Sequence, residues 1–217
     1  MRRWGHYEPI AREGYPFFMP LLVLSVLFWG WGYVSLSGGS LALAVSMALF
    51  FRNPERISPA GAGLLVCPAD GRVMEILENA ESRHIHKVPL RRISIFMSPL
   101  NVHVNRWPVS GAVTRIAYSS GGFLDARNPQ ASVTNEHNAL VIDSPDGPIA
   151  VVQIAGFLAR RIVCWAREGD YAIQGERFGL IRFGSRVDVY FPHHFSPCVS
   201  VGTKVKAGVT ILARKTS

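Results

Sequence analysis

From Pro16 to Phe51 the chain carries no charged residue. Residues 16–36 read PFFMPLLVLSVLFWGWGYVSL, and a run of about 20 apolar residues is enough to cross the hydrocarbon core of a bilayer. SGGS (37–40) then signals a turn. LALAVSMALFF (41–51) is apolar again but short for a span of its own. The pattern predicts a helical hairpin over 16–51 that dips into or crosses a membrane and returns, preceded by a basic segment, 1–15. A cleaved leader fits poorly, because no small-x-small site closes the apolar run. Arg2, Arg3 and Arg12 lie before the hairpin and Arg52 and Arg56 after it, which places both ends on the cytoplasmic side. The competing reading, a core hairpin of a soluble protein, is disfavoured by the length of the uncharged stretch and by its Trp and Phe content.

After the linker FRNPERISPAGAG (51–63) the pattern changes. LLVC (64–67), RVMEIL (72–77), RISIFMS (92–98), AVTRIAY (112–118), ALVIDS (139–144) and PIAVVQIA (148–155) alternate with Gly, Pro, Asn and Asp turns. Strands so closely spaced predict a mainly β domain over 52–217, a flattened barrel or sandwich. LARRIVCWA (158–166) fits a short helix or another strand, and periodicity does not choose between them. GDYAIQGERFGL (169–180) and GTKVKAGVTIL (202–212) share a Gly, five residues, Gly spacing. They read as lipoyl-like hairpins repeated in two quasi-equivalent halves.

The net charge of +8 calls for an anionic partner, nucleic acid or an acidic membrane surface. No nucleic-acid-binding signature is present, and the hairpin favours the membrane. Three cysteines at wide spacing, Cys67, Cys164 and Cys198, predict free thiols. His84 and His86 can share a face, but no third ligand is evident. His193 and His194 point to opposite faces of a strand. No metal site is expected, and no GxGxxG, P-loop or HExxH occurs.

IRFGSRVDVYFP (181–192) reads as one strand with a Gly-Ser joint at its centre. GxSxG is absent, so Ser185 is not the nucleophile of an elbow turn. A serine can instead attack the carbonyl of the residue before it, and a glycine at that position lets the peptide distort. Such chemistry needs a base and an oxyanion donor. His103 in SPLNVHVNRWP and Asp70 in CPADGR are the candidates, although each, taken alone, reads first as an ordinary surface or capping histidine or turn aspartate. NEHN (135–138) reads as a polar pocket lining or a solvated loop.

Taken together, FFRNPER, PADGRV, FMSPLNVHVNRWPVSG, NEHNAL, QIAG…ARRIV, GDYAIQGERFG and IRFGSRVDVYFP resemble the phosphatidylserine decarboxylase proenzymes in their short form. The likeness runs from about residue 50 to the end. It implies that Ser185 attacks the Gly184 carbonyl and that β-elimination releases chains 1–184 and 185–217. A pyruvoyl group is left at residue 185, and no metal is needed. That group would take the amine of phosphatidylserine and serve as electron sink for loss of CO₂, giving phosphatidylethanolamine. The resemblance makes Ser185 nucleophile and cofactor source, Asp70 an orienting carboxylate and His103 a site residue for either step. Asn135, His137 and Arg106 are its substrate-binding candidates. It implies further an enzyme at the cytoplasmic face of the inner membrane, whose two chains remain as a heterodimer, alone or paired. Long forms carry two histidines three apart where this chain has His103 and Arg106. They have Leu-Gly-Ser-Thr where it has Phe-Gly-Ser-Arg, and Asn-Glu-Arg where it has Asn-Glu-His. Two alternatives stay open: a membrane-anchored lipoyl- or biotinyl-like carrier, although neither hairpin tip has the Met-Lys or Asp-Lys acceptor, and a decarboxylase of a related serine lipid.

Overall fold

The computed structural model describes residues 8–85, 90–157, 161–182 and 184–216. Arg2 and Arg3, His86, residues 158–160 of LARRIVCWA, and Phe183 lie outside them. The chain divides into two compact units, Gly5–Glu55 and a second that carries Arg56–Ser217.

In the first unit, α1 (Tyr15–Gly30) and α2 (Val34–Phe50) form an antiparallel hairpin. With the 3-10 turn before it, the stretch Arg12–Gly30 is long and apolar enough to cross a membrane. The side chains are arranged inside out. Val26, Trp29 and Trp31 are about two-thirds exposed, whereas Ser25 and Ser37 are buried between the helices. Each serine hydroxyl donates to the other's carbonyl, at 3.0 and 2.9 Å. In a medium without water, buried polar groups need such partners. The open end is tied by Ala11 N to Phe51 O (2.8 Å) and Asn53 N to Pro9 O (2.7 Å).

The second unit is mainly β. Its strands are β1 (Leu64–Val66), β2 (Gly71–Ala80), β3 (Leu90–Met97), β4 (Val104–Arg106), β5 (Gly111–Ser119), β6 (His137–Ser144), β7 (Gly147–Ala155), β8 (Ile162–Cys164), β9 (Tyr171–Ala172), β10 (Arg177–Ile181), β11 (Ser185–Pro192), β12 (Phe195–Pro197), β13 (Lys204–Val205) and β14 (Ile211–Lys215). A short helix, α3 (Ala131–Thr134), lies before β6. Eight strands form one sheet in the order β13-β2-β3-β11-β7-β6-β5-β9. Two three-stranded sheets, β1-β14-β12 and β4-β10-β8, complete the unit.

The eight-stranded order is a palindrome about the β11–β7 pair, and the equivalence extends to single hydrogen bonds. A shift of 40 carries CPADGRV (67–73) onto WPVSGAV (107–113), and a shift of 33 carries Gly202–Gly208 onto Gly169–Gly175. Gly208 N donates to Cys67 O as Gly175 N donates to Trp107 O, and Val73 N to Thr203 O as Val113 N to Asp170 O. The two turns also clasp each other. Arg106 N donates to Pro68 O and Val66 N to Pro108 O, both at 2.9 Å. The Gly-x5-Gly echo is therefore the visible part of a wider equivalence between the two halves of the large sheet.

IRFGSRVDVYFP is not one strand. β10 ends at Ile181 and belongs to a three-stranded sheet; β11 starts at Ser185 in the large sheet. Between them Gly184 has φ +56°, a left-handed conformation that glycine adopts without a Cβ penalty. The common parity of the apolar residues conceals this change of sheet. In β11, Val187, Val189 and Phe191 are fully buried in the main core, each worth about 1.5–3 kcal/mol. Their alternation fixes the register, since a one-residue slip would turn Arg186 and Asp188 into that core. LARRIVCWA contains strand β8, the second of its two readings, and the end of NVHVNR forms β4.

Candidate active site

Ser185 opens the central strand β11 and pairs with Met97 of β3 on one side and Ala155 of β7 on the other. It is fully buried, and its hydroxyl donates to Met97 Sδ at 3.4 Å. The preceding carbonyl is packed against backbone. A Cβ on Gly156 would lie 2.4 Å from Gly184 O, so this approach is open only to glycine. Gly156 follows β7, and Ala126 closes the same spot from a neighbouring loop.

Behind Ser185 runs a chain of buried amides. Asn105 Nδ2 reaches Met97 Sδ (3.7 Å), Gln153 Nε2 donates to Asn105 Oδ1 (2.8 Å), and Asn138 Nδ2 donates to Gln153 Oε1 (3.2 Å). On the opposite face of β11, Arg186 grips Asp188 with two bonds, 2.6 and 2.8 Å, and reaches Ser94 Oγ at 3.0 Å. Both charges are buried. Such forked pairs hold when every lone pair is met.

His103 lies immediately before β4 and is 2% exposed. Its Nδ1 lies 3.0 Å from Asn101 O. A carbonyl only accepts, so Nδ1 carries a proton, and in a neutral ring the lone pair then lies on Nε2. The His103 carbonyl accepts from Ile181 N at 3.3 Å, which ties the histidine to the end of β10, just upstream of the Gly-Ser joint.

Asp70 is buried at the turn before β2. It forms a two-pronged ion pair with Arg56, with Nη2 to Oδ2 at 2.8 Å, and its Oδ1 accepts from Ala207 N at 2.8 Å. These bonds fix the turn; the proton on His103 Nδ1 is oriented by Asn101. Arg56, from the FFRNPER string, thus joins the candidate site without having been marked by sequence reading, as do Met97 and Gly156. Only the position of Arg56 inside a family-like string could have marked it.

Two cavities meet at Phe96. One, about 510 Å³, is lined by Asp70, Arg72, Ser98, Asn101, Lys204 and Lys206, among others. The other, about 170 Å³, is formed by Phe96, Pro99, Asp125, Ala126, Phe157 and Gly184. Arg127 holds the Asp125 carboxyl down to about 2 by hydrogen bonding. The three remaining candidates take other places. Asn135 donates from one amide nitrogen to Leu124 O and Ala155 O, both at 2.7 Å, binding the 122–126 loop to the end of β7. His137 lines a pocket with Asp188 and Tyr190, on the face of the sheet away from the Ser185 side chain. Arg106 donates to Gly175 O at 2.8 Å, and its Cδ lies where a Cβ on Gly208 would come within 2.7 Å. It is spent on joining the two glycine turns.

Among the described residues no group of three or more His, Cys, Asp or Glu side chains is placed to hold a metal ion. What the arrangement does offer is a buried hydroxyl next to its own glycyl carbonyl, with a buried histidine whose backbone is bonded to the incoming chain at Ile181. The sequence model of the family described as phosphatidylserine decarboxylase matches residues 43–213. A phosphatidylserine decarboxylase proenzyme of Azorhizobium caulinodans is 52% identical over 209 residues, covering 94% of this chain and 88% of that relative. With a match across both the clasped turns and the Gly-Ser joint, the chain belongs to the phosphatidylserine decarboxylase family.

Proposed function

We propose that the chain is the precursor of a membrane-bound enzyme that converts phosphatidylserine to phosphatidylethanolamine after cutting itself between Gly184 and Ser185. The observation that carries the self-cleavage is the joint itself. A left-handed glycine leads into a strand clamped on both edges, so the scissile peptide is anchored on its C-terminal side and deformable on the other.

His103 takes the Ser185 hydroxyl proton at Nε2 while Oγ attacks the Gly184 carbonyl carbon. The C–N bond breaks, its nitrogen leaves as an amine, and an ester remains. Loss of the Ser185 Cα proton then expels chain 1–184 as a carboxylate and leaves a dehydroalanine. Water replaces its nitrogen, which departs as ammonia, and residue 185 becomes a ketone-bearing terminus. Asp70, paired to Arg56, holds the turn against which β4 is docked, and in this way serves as the orienting carboxylate. The fit of a pyruvoyl group is supported by the small Gly156 and Gly184 backbone around residue 185, which leaves a carbonyl room at the cavity. A pyruvoyl carbonyl supplies the electron sink for loss of the carboxylate as CO₂.

Arg72, Lys204 and Lys206 in the larger cleft suit the anionic headgroup. Asn135 shapes the smaller cavity. The two chains stay together as a heterodimer, because β11 pairs with β3 and β7 of the larger chain. The Arg residues flanking the hairpin orient both its ends to the cytoplasmic face of the inner membrane.

The test is a mass spectrum of the purified active protein. Two chains are expected, 1–184 and 185–217, the smaller reactive toward hydroxylamine. Ser185→Ala should remain one chain and release no CO₂ from phosphatidylserine. An intact chain with full activity would overturn the mechanism.

A further inference from the structure

Four large apolar side chains stand in solvent on the loops that wall the Gly184 cavity: Leu100 (84% exposed), Phe157 (74%), Phe123 (41%) and Leu124 (37%). They come from three loops, and each loop also supplies cavity wall: Pro99 beside Leu100, Asp125 and Ala126 beside Leu124, and Phe157 itself. The loops of Leu100 and of Phe123 and Leu124 are held, not loose. Ser98 N and Oγ both donate to Asn101 Oδ1 at 2.8 Å. Leu124 N donates to Asn135 Oδ1 at 2.9 Å, and the fully buried Asn135 also grips the strand end next to Phe157. Exposed aromatic and leucine side chains fixed in such positions do not bury themselves by relaxing, and a patch of this kind marks an interaction surface.

Its surroundings select the partner. Arg127, paired with Asp125 at 2.6 Å, lies over the Phe96 ring at 5.7 Å, and the adjoining cleft carries Arg72, Lys204 and Lys206. Apolar tips beside a cleft of unequal charge, three cations to one carboxylate that Arg56 already pairs, suit an anionic lipid leaflet, where the tips enter the acyl boundary and the cations meet headgroups. We propose that this rim is a bilayer-docking surface of the β unit itself, a membrane contact additional to the helical hairpin. It seats the Gly184 cavity at the level where a two-chain lipid presents its headgroup. The inference rests on the decarboxylase reading above.

The full-length chain in anionic vesicles provides the test. With Cys198→Ser as background, an environment-sensitive fluorophore is attached at Leu100→Cys, at Phe157→Cys and, as control, at Pro145→Cys. Pro145 lies in the β6–β7 turn, at the other end of the nine-residue strand β7, about 27 Å from the rim. Nitroxide carried on lipid headgroups should quench the probes at 100 and 157 but not at 145. Equal quenching at all three positions, or none at the rim, overturns the proposal. So does a rim signal that follows protein self-association without lipid.

A second arm reads turnover. Leu100→Asp with Phe123→Asp should lower kcat/KM on vesicle-borne phosphatidylserine by about tenfold or more. Processing should stay complete, and turnover of a dispersed short-chain phosphatidylserine should stay within about twofold. Equal losses on both substrates would sink the rim. If the unaltered protein turns over neither substrate, the decarboxylase reading fails, while the quenching result still decides the rim.

Discussion

The two halves of the β unit share a backbone and differ in chemistry. Asp70 Oδ1 accepts from Ala207 N; in the other half Ser110 Oγ accepts from Gln174 N at 3.0 Å. His103 O accepts from Ile181 N; its counterpart, Gly63 O, accepts from Lys215 N at 2.8 Å. Met97 pairs with Ser185 as Ser144 pairs with Gly147, so the proposed scission point falls where the other half has a hairpin turn. All three candidate residues therefore mark positions at which the duplication is broken. Repetition builds the large sheet, and the candidate residues fall where the two halves depart from each other.

The largest effect should come from exchanging the turn residues. Asp70→Ser keeps an acceptor for Ala207 N but removes the Arg56 ion pair, and should slow self-cleavage about a hundredfold. Ser110→Asp should leave cleavage within a few fold. Time courses of precursor and product bands measure both, and equal responses would mean that the halves are functionally equivalent here.

The next test asks where the halves must agree. A Cβ on Gly71 would sit 2.1 Å from Phe96 O, and one on Gly111 2.3 Å from Asp143 O. Gly71→Ala and Gly111→Ala should each cost about 3 kcal/mol in denaturant unfolding. A clear inequality would show that one turn bears more of the sheet's stability.

The smallest effect concerns Cys67 and its counterpart Trp107, which has no titrating group. Burial pushes the Cys67 thiol from 9.0 up to about 12. Between those values the unfolded chain has already released the proton that the folded chain retains. Stability should therefore fall as pH rises through that window. Cys67→Ala should flatten that part of the stability–pH curve, although it lowers the whole curve by leaving a cavity.

Much of this was legible in the sequence because alternation and turn residues are local signals. The close spacing of strands gave the β class, and the uncharged run marked the helical pair. The string GSR gave the joint, but its parity suggested one strand, since a change of sheet at a left-handed glycine leaves no mark in a period-two pattern. Two halves joined by swapped contacts were only half visible. The glycine turns matched each other, whereas CPADGRV and WPVSGAV share just Pro, Gly and Val, the residues that the turn and the core demand. The Arg56 partner of Asp70 had no local signature, because long-range ion pairs depend on the fold.

The double pairing of β11 has a consequence for the lifetime of the molecule. On the proposed reading, the reactive group is the first residue of a strand woven into the middle of the sheet, and nothing can diffuse in to replace it. A chain whose terminal carbonyl is once reduced or otherwise spent cannot be reloaded; only a newly made chain restores it. Total product is then bounded by the number of chains synthesised and the turnovers each survives, so supply of the lipid would be governed by protein synthesis and not by cofactor levels.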